Sequence, residues 1–350
     1  MKHRLLSLFF IVFISSNVVA LEPVTLQLKW VHQFQFAGYY LAKHKGFYRE
    51  VGLDVSIVPA QKHNPDEQFK VLSGQAQFGV THSGILEQRL LGKPLVALAA
   101  IFQSSPYCWM VRADSDIYLP KDFHNKKISH LGRSEGAELV LMLERAGINV
   151  TKLPIYSGLE PLADFKAGKF DALQVYISNE PYKMSQQGIV TRQICPKHYG
   201  INVYADILFT SEDVYKYRPE MVAKFRSASL RGWRYALANL DEALQVTKYY
   251  ASEKSFEELA NEADKLLPFI KAPGIPLGNM SAARWQWIAQ LYHLDATKFH
   301  DHKNTFLYSN DGDVEINWSW MLFLAIVLSL LCIPMYIHLV LFKKKRFMIN

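Results

Sequence analysis

The chain has 350 residues, with Lys plus Arg at 39 against Asp plus Glu at 32 and a formal charge of +7. Six of those positive charges, Lys2, Arg4, Lys343, Lys344, Lys345 and Arg346, lie at the two ends, and removing them leaves +1. A near-neutral body excludes the electrostatic case for nucleic acid, and three cysteines without metal-ligand spacing exclude a thiolate metal site.

The N-terminus opens with Lys2 and Arg4, continues through the apolar run from Leu5 to Ile14 and ends Val18-Val19-Ala20. A short basic head, a brief apolar core and small residues before a cut predict a signal peptide over 1–20. From there strands and helices alternate. Val24 to Trp30 reads as a strand, Phe36 to Tyr48 as a helix and Leu53 to Val58 as a strand. Asp66 to Leu72 is the next helix, Gln77 to Val80 a strand, Ser83 to Leu91 a helix and Leu95 to Phe102 an apolar strand. The rhythm restarts with strands at Lys127 to Leu131, Leu153 to Tyr156, Ala172 to Tyr176 and Ile189 to Ile194, and helices at Glu135 to Ala146 and Leu159 to Ala167. After a strand at Ala205 to Phe209 come helices near 219–239, 241–250, 256–267 and 281–293, with a proline-rich break at 268–276.

This order predicts an α/β fold with largely parallel sheets. Roughly 295 residues between the two ends suit two lobes rather than one core. The chain is expected to leave the first lobe near Arg112 and return near Tyr204. Lobe 1 is then about 21–111 and 205–300, and lobe 2 about 112–204, with a hinged cleft between them. Residues 301–317 are polar and read as a tether. The 22 residues from Met321 to Phe342 carry no acid and no base apart from His338. That length crosses a hydrocarbon core of roughly 30 Å. Trp318 and Trp320 stand at one boundary and the basic tail 343–350 at the other, which places the tail in the cytoplasm and the body outside. The expectation is a single-pass inner-membrane protein with a transmembrane helix over 318–342 and its binding domain in the periplasm. Cys108 and Cys195 would then meet an oxidising compartment, although sequence cannot bring them together.

Ligands of α/β sheets sit beyond the carboxyl ends of strands, and several junctions of this kind carry suitable side chains. The segment from Trp30 to Tyr40 offers Trp30, Phe34 and Tyr39 as stacking surfaces and His32, Gln33 and Gln35 as hydrogen-bonding groups. Trp30 and Tyr39 fit core packing equally well, and Phe36 and Tyr40 fit packing better. Thr81, His82 and Ser83 follow the third strand, where hydroxyls either bind a polar group or cap the next helix. Ser134 and Glu135 hold the corresponding place in the second unit. Tyr176, Asn179 and Glu180 follow another strand end, where the Glu180 carboxylate can accept hydrogen bonds from an amino-substituted ring. No catalytic constellation is present: there is no nucleophile elbow, zinc-protease helix or CxxC pair. His300 and His302 lack a third metal ligand, so neither metal nor cofactor is expected.

Leu26-Gln-Leu-Lys-Trp-Val-His-Gln-Phe-Gln-Phe-Ala-Gly-Tyr-Tyr40 and Lys45-Gly-Phe-Tyr-Arg-Glu-Val-Gly-Leu-Asp-Val55 resemble the thiamine-pyrimidine-synthase-like family. Leu72 to Gly79, Gly92-Lys-Pro94, Gly168 to Ala172 and Val175 to Pro181 extend the resemblance over about residues 24–240. It implies a type II periplasmic-binding-protein fold, akin to the sulfonate and taurine binders, with two parallel or mixed sheets, flanking helices and a hinged cleft. Pyrimidine precursors of thiamine are its best-known ligand class, and Trp30, Tyr39, Tyr176 and Glu180 match its cleft positions. Such domains serve an ABC permease or a signalling partner. Fungal members are synthases that use pyridoxal phosphate, their own histidine and iron. Here Thr81 stands where the cofactor lysine belongs, Ile85 or Leu86 where the consumed histidine belongs, and 201–204 hold no cysteine. A Schiff base needs an amine, so the resemblance points to a binder, with the synthase as the alternative.

Overall fold

The computed structural model describes residues 20–309, apart from 62–65, 131–134, 157 and 159. The expected signal peptide, the transmembrane segment, the basic tail and Ser134 therefore fall outside the described residues, except that Ala20 is included. Among the described residues no helix is long and apolar enough to cross a membrane.

Among the described residues nine strands form two sheets. They are β1 (Glu22–Gln27), β2 (Leu53–Val58), β3 (Phe78–Thr81), β4 (Leu95–Phe102), β5 (Tyr107–Arg112), β6 (Ile128–Ser129), β7 (Ala172–Tyr176), β8 (Thr191–Ile194) and β9 (Ala205–Ser211). The first sheet has the order β2-β1-β3-β9-β4 and the second β6-β7-β5-β8. β4 and β9 are buried along their whole length, as strands covered on both faces must be. In the first sheet β1, β2 and β3 run parallel and β9 runs antiparallel to both its neighbours. In the second only β6 and β7 are parallel. The expectation of largely parallel sheets is corrected to mixed ones, because the chain returning from the second sheet inserts β9 between β3 and β4.

The helices are α1 (Ala37–His44), α2 (Phe47–Glu50), α3 (Glu67–Leu72), α4 (Ile85–Leu90), α5 (Ala137–Arg145), α6 (Pro161–Lys166) and α7 (Glu180–Ser185). Then follow α8 (Glu212–Tyr217), α9 (Pro219–Ala238), α10 (Leu240–Tyr250), α11 (Phe256–Ile270), α12 (Ala282–Leu291) and α13 (Ala296–Phe306). α1 packs on α9 where Gly38 meets Gly232. A Cβ on Gly232 would lie 2.2 Å from the Gly38 carbonyl oxygen, so glycine alone lets the two backbones close. That contact seats the segment before α1, which forms one wall of the cleft.

Several boundaries differ from the sequence reading. The helix expected over Phe36 to Tyr48 breaks at Gly46, whose φ of +76° starts α2. β5 was not expected, and it belongs to the second sheet, so the first crossing lies at 103–106 rather than near Arg112. Leu153 to Tyr156 contributes one bridge, Ile155 to Ile128, rather than a strand; Pro154 has no N–H to extend a ladder. α11 runs through Pro268 to Ile270. The expected tether is helical in its first part: α13 buries Phe299 and Phe306, and Arg89 Nη2 donates to Thr305 Oγ1 at 2.7 Å. The wholly polar exterior of that helix concealed two aromatic residues seven apart on one face. Cys108 on β5 and Cys195, immediately after β8, are joined in a disulfide that closes 87 residues of chain.

Candidate functional site

A cavity of about 490 Å³ lies between the two sheets, within the size range of small-molecule sites. Trp30, His82 and Glu67 line it from the first sheet's side, and Tyr107, Glu135, Tyr176, Asn179 and Glu180 from the second. Contacts across the cleft hold the two sides together. Asn261 Nδ2 donates to the Ser178 carbonyl at 2.9 Å, and Lys183 Nζ stands 3.9 Å from Glu258 Oε1.

The centre of the wall is a buried ion pair. Lys29, two residues past the end of β1, places Nζ 3.2 Å from Asp206 Oδ2, and the two residues are 5% and 1% exposed. Asp206 also accepts hydrogen bonds from the Tyr176 hydroxyl across the cleft and from Gln35 Nε2 at 3.2 Å. It sits at φ +46°, a left-handed conformation that aspartate tolerates better than most residues. Burial pushes its carboxyl up, against the opposing pull of the Lys29 ammonium. The same ammonium lies over the Tyr176 and Tyr107 rings, 5.3 and 5.6 Å from their centroids. Neither member of the pair was singled out from sequence. The available signal was a lone charge inside an apolar run, Lys29 after Leu28 and Asp206 between Ala205 and Ile207.

Glu67, Glu135 and Glu180, three of the carboxylates lining the cavity, are shifted upward. Burial, reinforced by the charge of Glu67, raises Glu135 to about 7, with Lys29 opposing. Glu67 is raised by burial and steadied by the Thr81 hydroxyl, which donates to Oε1 at 2.7 Å. Glu180 is likewise raised by burial, although the Tyr176 N–H donates to its Oε2 at 3.1 Å. His82 is pushed down to about 3 by burial and by Lys29, so its ring is neutral. Its Nδ1 accepts from the Gly84 N–H at 3.2 Å.

The structure brings together Trp30, Gln33, Gln35, His82, Glu135, Tyr176, Asn179 and Glu180 among the residues chosen from sequence. Five others are elsewhere. Phe34 is a core residue whose N–H donates to Glu262 Oε2 at 2.8 Å, and Tyr39 is core, packed edge-on against Trp233 at 5.8 Å. His32 is half-buried behind the wall, 2.9 Å from the Tyr40 hydroxyl, with its pKa lowered by burial. Thr81 is turned to Glu67, and Ser83 Oγ meets the Tyr292 hydroxyl at 2.7 Å. Neither hydroxyl caps α4. The first turn of a helix presents only some of its side chains to a strand-end cleft, and α11 and α9 claim Phe34 and Tyr39. Among the described residues no group of three His, Cys, Asp or Glu could hold a metal ion.

Chemically, the wall combines aromatic faces with hydrogen-bond acceptors. Carboxylates outnumber ammonium groups along it, and the deepest ammonium, Lys29, is already neutralised.

A family model described as NMT1/THI5 like matches residues 33–243. The formylaminopyrimidine-binding protein of Halalkalibacterium halodurans is 26% identical over 296 residues, covering 81% of this chain and 89% of that protein. The riboflavin-binding protein RibY of Chloroflexus aurantiacus is 26% identical over 257 residues, covering 71% and 73%. Both named relatives are binding proteins rather than enzymes. Among solved structures, a protein of Bordetella bronchiseptica RB50 superposes with a TM-score of 0.67 at 16% identity, covering 82% of this chain and 95% of that one. The periplasmic aliphatic sulphonate binding protein SsuA of Escherichia coli does so with a TM-score of 0.60 at 16% identity, covering 78% and 87%. These likenesses establish the two-sheet periplasmic-binding-protein fold.

Proposed function

The chain belongs to the NMT1/THI5-like family, and on that premise we propose that it is a small-molecule-binding protein whose cleft closes on a flat, amino-bearing heterocycle. A thiamine-precursor-like pyrimidine or a related ring is the ligand class. The observation that carries this is the wall itself: the rings of Trp30, Tyr107 and Tyr176 beside the carboxylates of Glu67, Glu135 and Glu180. Aromatic faces take up a planar ring, and carboxylates accept from its N–H groups. One relative is named for a formylaminopyrimidine and another for riboflavin, in keeping with this chemistry. A sulfonate fits poorly, since it would enter a cavity in which carboxylates predominate and Lys29 is taken by Asp206.

The proposal extends to topology and role. The domain works outside the cytoplasm, exported by residues 1–20 and held at the inner membrane by residues 318–342, and its closure serves an ABC permease or a signalling partner. Pyrimidine synthesis is the less favoured reading, since the Thr81 position offers a hydroxyl already given to Glu67 and no amine for a cofactor.

The test is thermal unfolding of the full chain against aminopyrimidines, riboflavin, pyridoxal phosphate and alkylsulfonates. An aminopyrimidine at a hundred times its Kd should add about 2.7 kcal/mol of stability. A response to sulfonates alone would refute the ligand class, and one to pyridoxal phosphate alone would favour the synthase.

A further inference from the structure

A chain of three amides crosses the cleft and ends on a carboxylate. Asp206 Oδ1 accepts from Gln35 Nε2 at 3.2 Å, Gln35 Oε1 accepts from Gln33 Nε2, and Gln33 Oε1 accepts from Asn179 Nδ2 at 3.0 Å. All four side chains are buried. An ionised carboxylate has no hydrogen to give, so Gln35 must turn its NH2 to Asp206 and its carbonyl to Gln33. Gln33 must then donate to Gln35 and present its own carbonyl to Asn179. The same logic leaves Asn179 only one orientation, NH2 toward Gln33 and carbonyl away from it. Reversing any one amide would set N–H against N–H or oxygen against oxygen.

The far end of this chain is unfinished. Asn179 is 6% exposed and belongs to the cavity wall, and its Oδ1 is buried without a hydrogen-bond partner. A buried carbonyl oxygen left in this way is a destabilising feature unless something supplies a hydrogen.

We propose that Asn179 is a specificity-determining residue of the cleft, its carbonyl held as an acceptor for a ligand N–H, with Gln33 and Gln35 as the residues that position it. This rests on the reading of the cavity as the ligand site and adds a selection rule to it. Gln33 and Gln35 follow β1 of the first sheet, whereas Asn179 follows β7 of the second. The acceptor is therefore oriented only when the two sides meet, so ligands are judged in the closed state. A site built to receive an N–H rejects an analogue that lacks one far more strongly than it rejects a change of bulk.

The experiment measures calorimetric affinities of the full chain for two probes of nearly equal shape, 4-amino-5-hydroxymethyl-2-methylpyrimidine and its 4-methyl counterpart. Wild type should prefer the amino probe tenfold or more. Asn179→Leu should bring the ratio of the two affinities close to one. Gln33→Leu, which removes the group that orients Asn179, should lower the preference with Asn179 still in place. A residue that merely holds the lobes together would weaken both probes equally and leave the ratio alone. A ratio untouched by Asn179→Leu, with both probes still bound, overturns this proposal and spares the reading of the cavity. Failure of the amino probe to bind wild type overturns both.

Discussion

Replacing Asp206 by asparagine removes one negative charge from a place water does not reach. Asn keeps the shape of the side chain and tolerates the left-handed backbone at φ +46°, so the substitution isolates charge from strain. Lys29 Nζ, now 3.2 Å from a carboxylate oxygen and 5% exposed, would face a neutral amide. At that separation the attraction is about 5 kcal/mol for an effective dielectric of 20. Part of it is offset because the pair was desolvated to form, and breaking a buried pair from one side costs about 3–5 kcal/mol. The Tyr176 hydroxyl bond to Asp206 also weakens from a charge-assisted to a neutral one. We expect Asp206→Asn to lose about 3–4 kcal/mol in urea unfolding. Lys29→Met should cost a similar amount, and the double variant clearly less than the two together, with a coupling of about 2–3 kcal/mol. A loss below about 0.5 kcal/mol for Asp206→Asn, or costs that simply add, would refute the reasoning, since either means the charges are not coupled in the fold.

Trp30→Ala and Glu180→Gln should each weaken ligand binding tenfold or more, about 1.4 kcal/mol, by calorimetry; unchanged affinity would remove that side chain from the contact set. Glu135, raised to about 7 from 4.5, binds more protons folded than unfolded between those values. Stability should therefore fall as pH rises from about 4.5 through about 7 and level off above. Over the same upper range Glu135 becomes a carboxylate, so affinity for an amino-bearing ligand should rise between about pH 6 and 8. Glu135→Gln should flatten both profiles, and an unaltered profile in that variant would assign the titration to another group. Replacing Cys108 and Cys195 by serine should lower stability by about 2–4 kcal/mol, because the bridge closes 87 residues of chain; denaturant midpoints with and without reductant would measure it.

Much of the fold was legible in the residues. Leu53–Val58, Leu95–Phe102 and Ala172–Tyr176 begin and end where the apolar pattern says, because a strand covered on both faces or on alternate residues leaves a local mark. Strand ends also pointed to Trp30, His82, Glu135, Tyr176, Asn179 and Glu180 as cleft positions, since a parallel strand followed by a helix opens its junction to the same side. α13 was hidden because its buried face rests on Phe299 and Phe306 while its exterior is polar.

Sequence by itself therefore determined most of the elements (though neither β5 nor α13), the alternation that makes an α/β fold, and the junctions at which a cleft could form. Those properties follow from periodicity over neighbouring residues. Tertiary structure alone decided which junction residues face the cavity. Phe34 and Tyr39 turn inward because Glu262 and Trp233 lie far along the chain and close in space. It also decided that Lys29 meets Asp206 across 177 residues and that Cys108 meets Cys195 across 87. A pairing of that range leaves no period in the sequence, since the free energy that selects it comes from burial shared by segments which touch only after the sheets have formed.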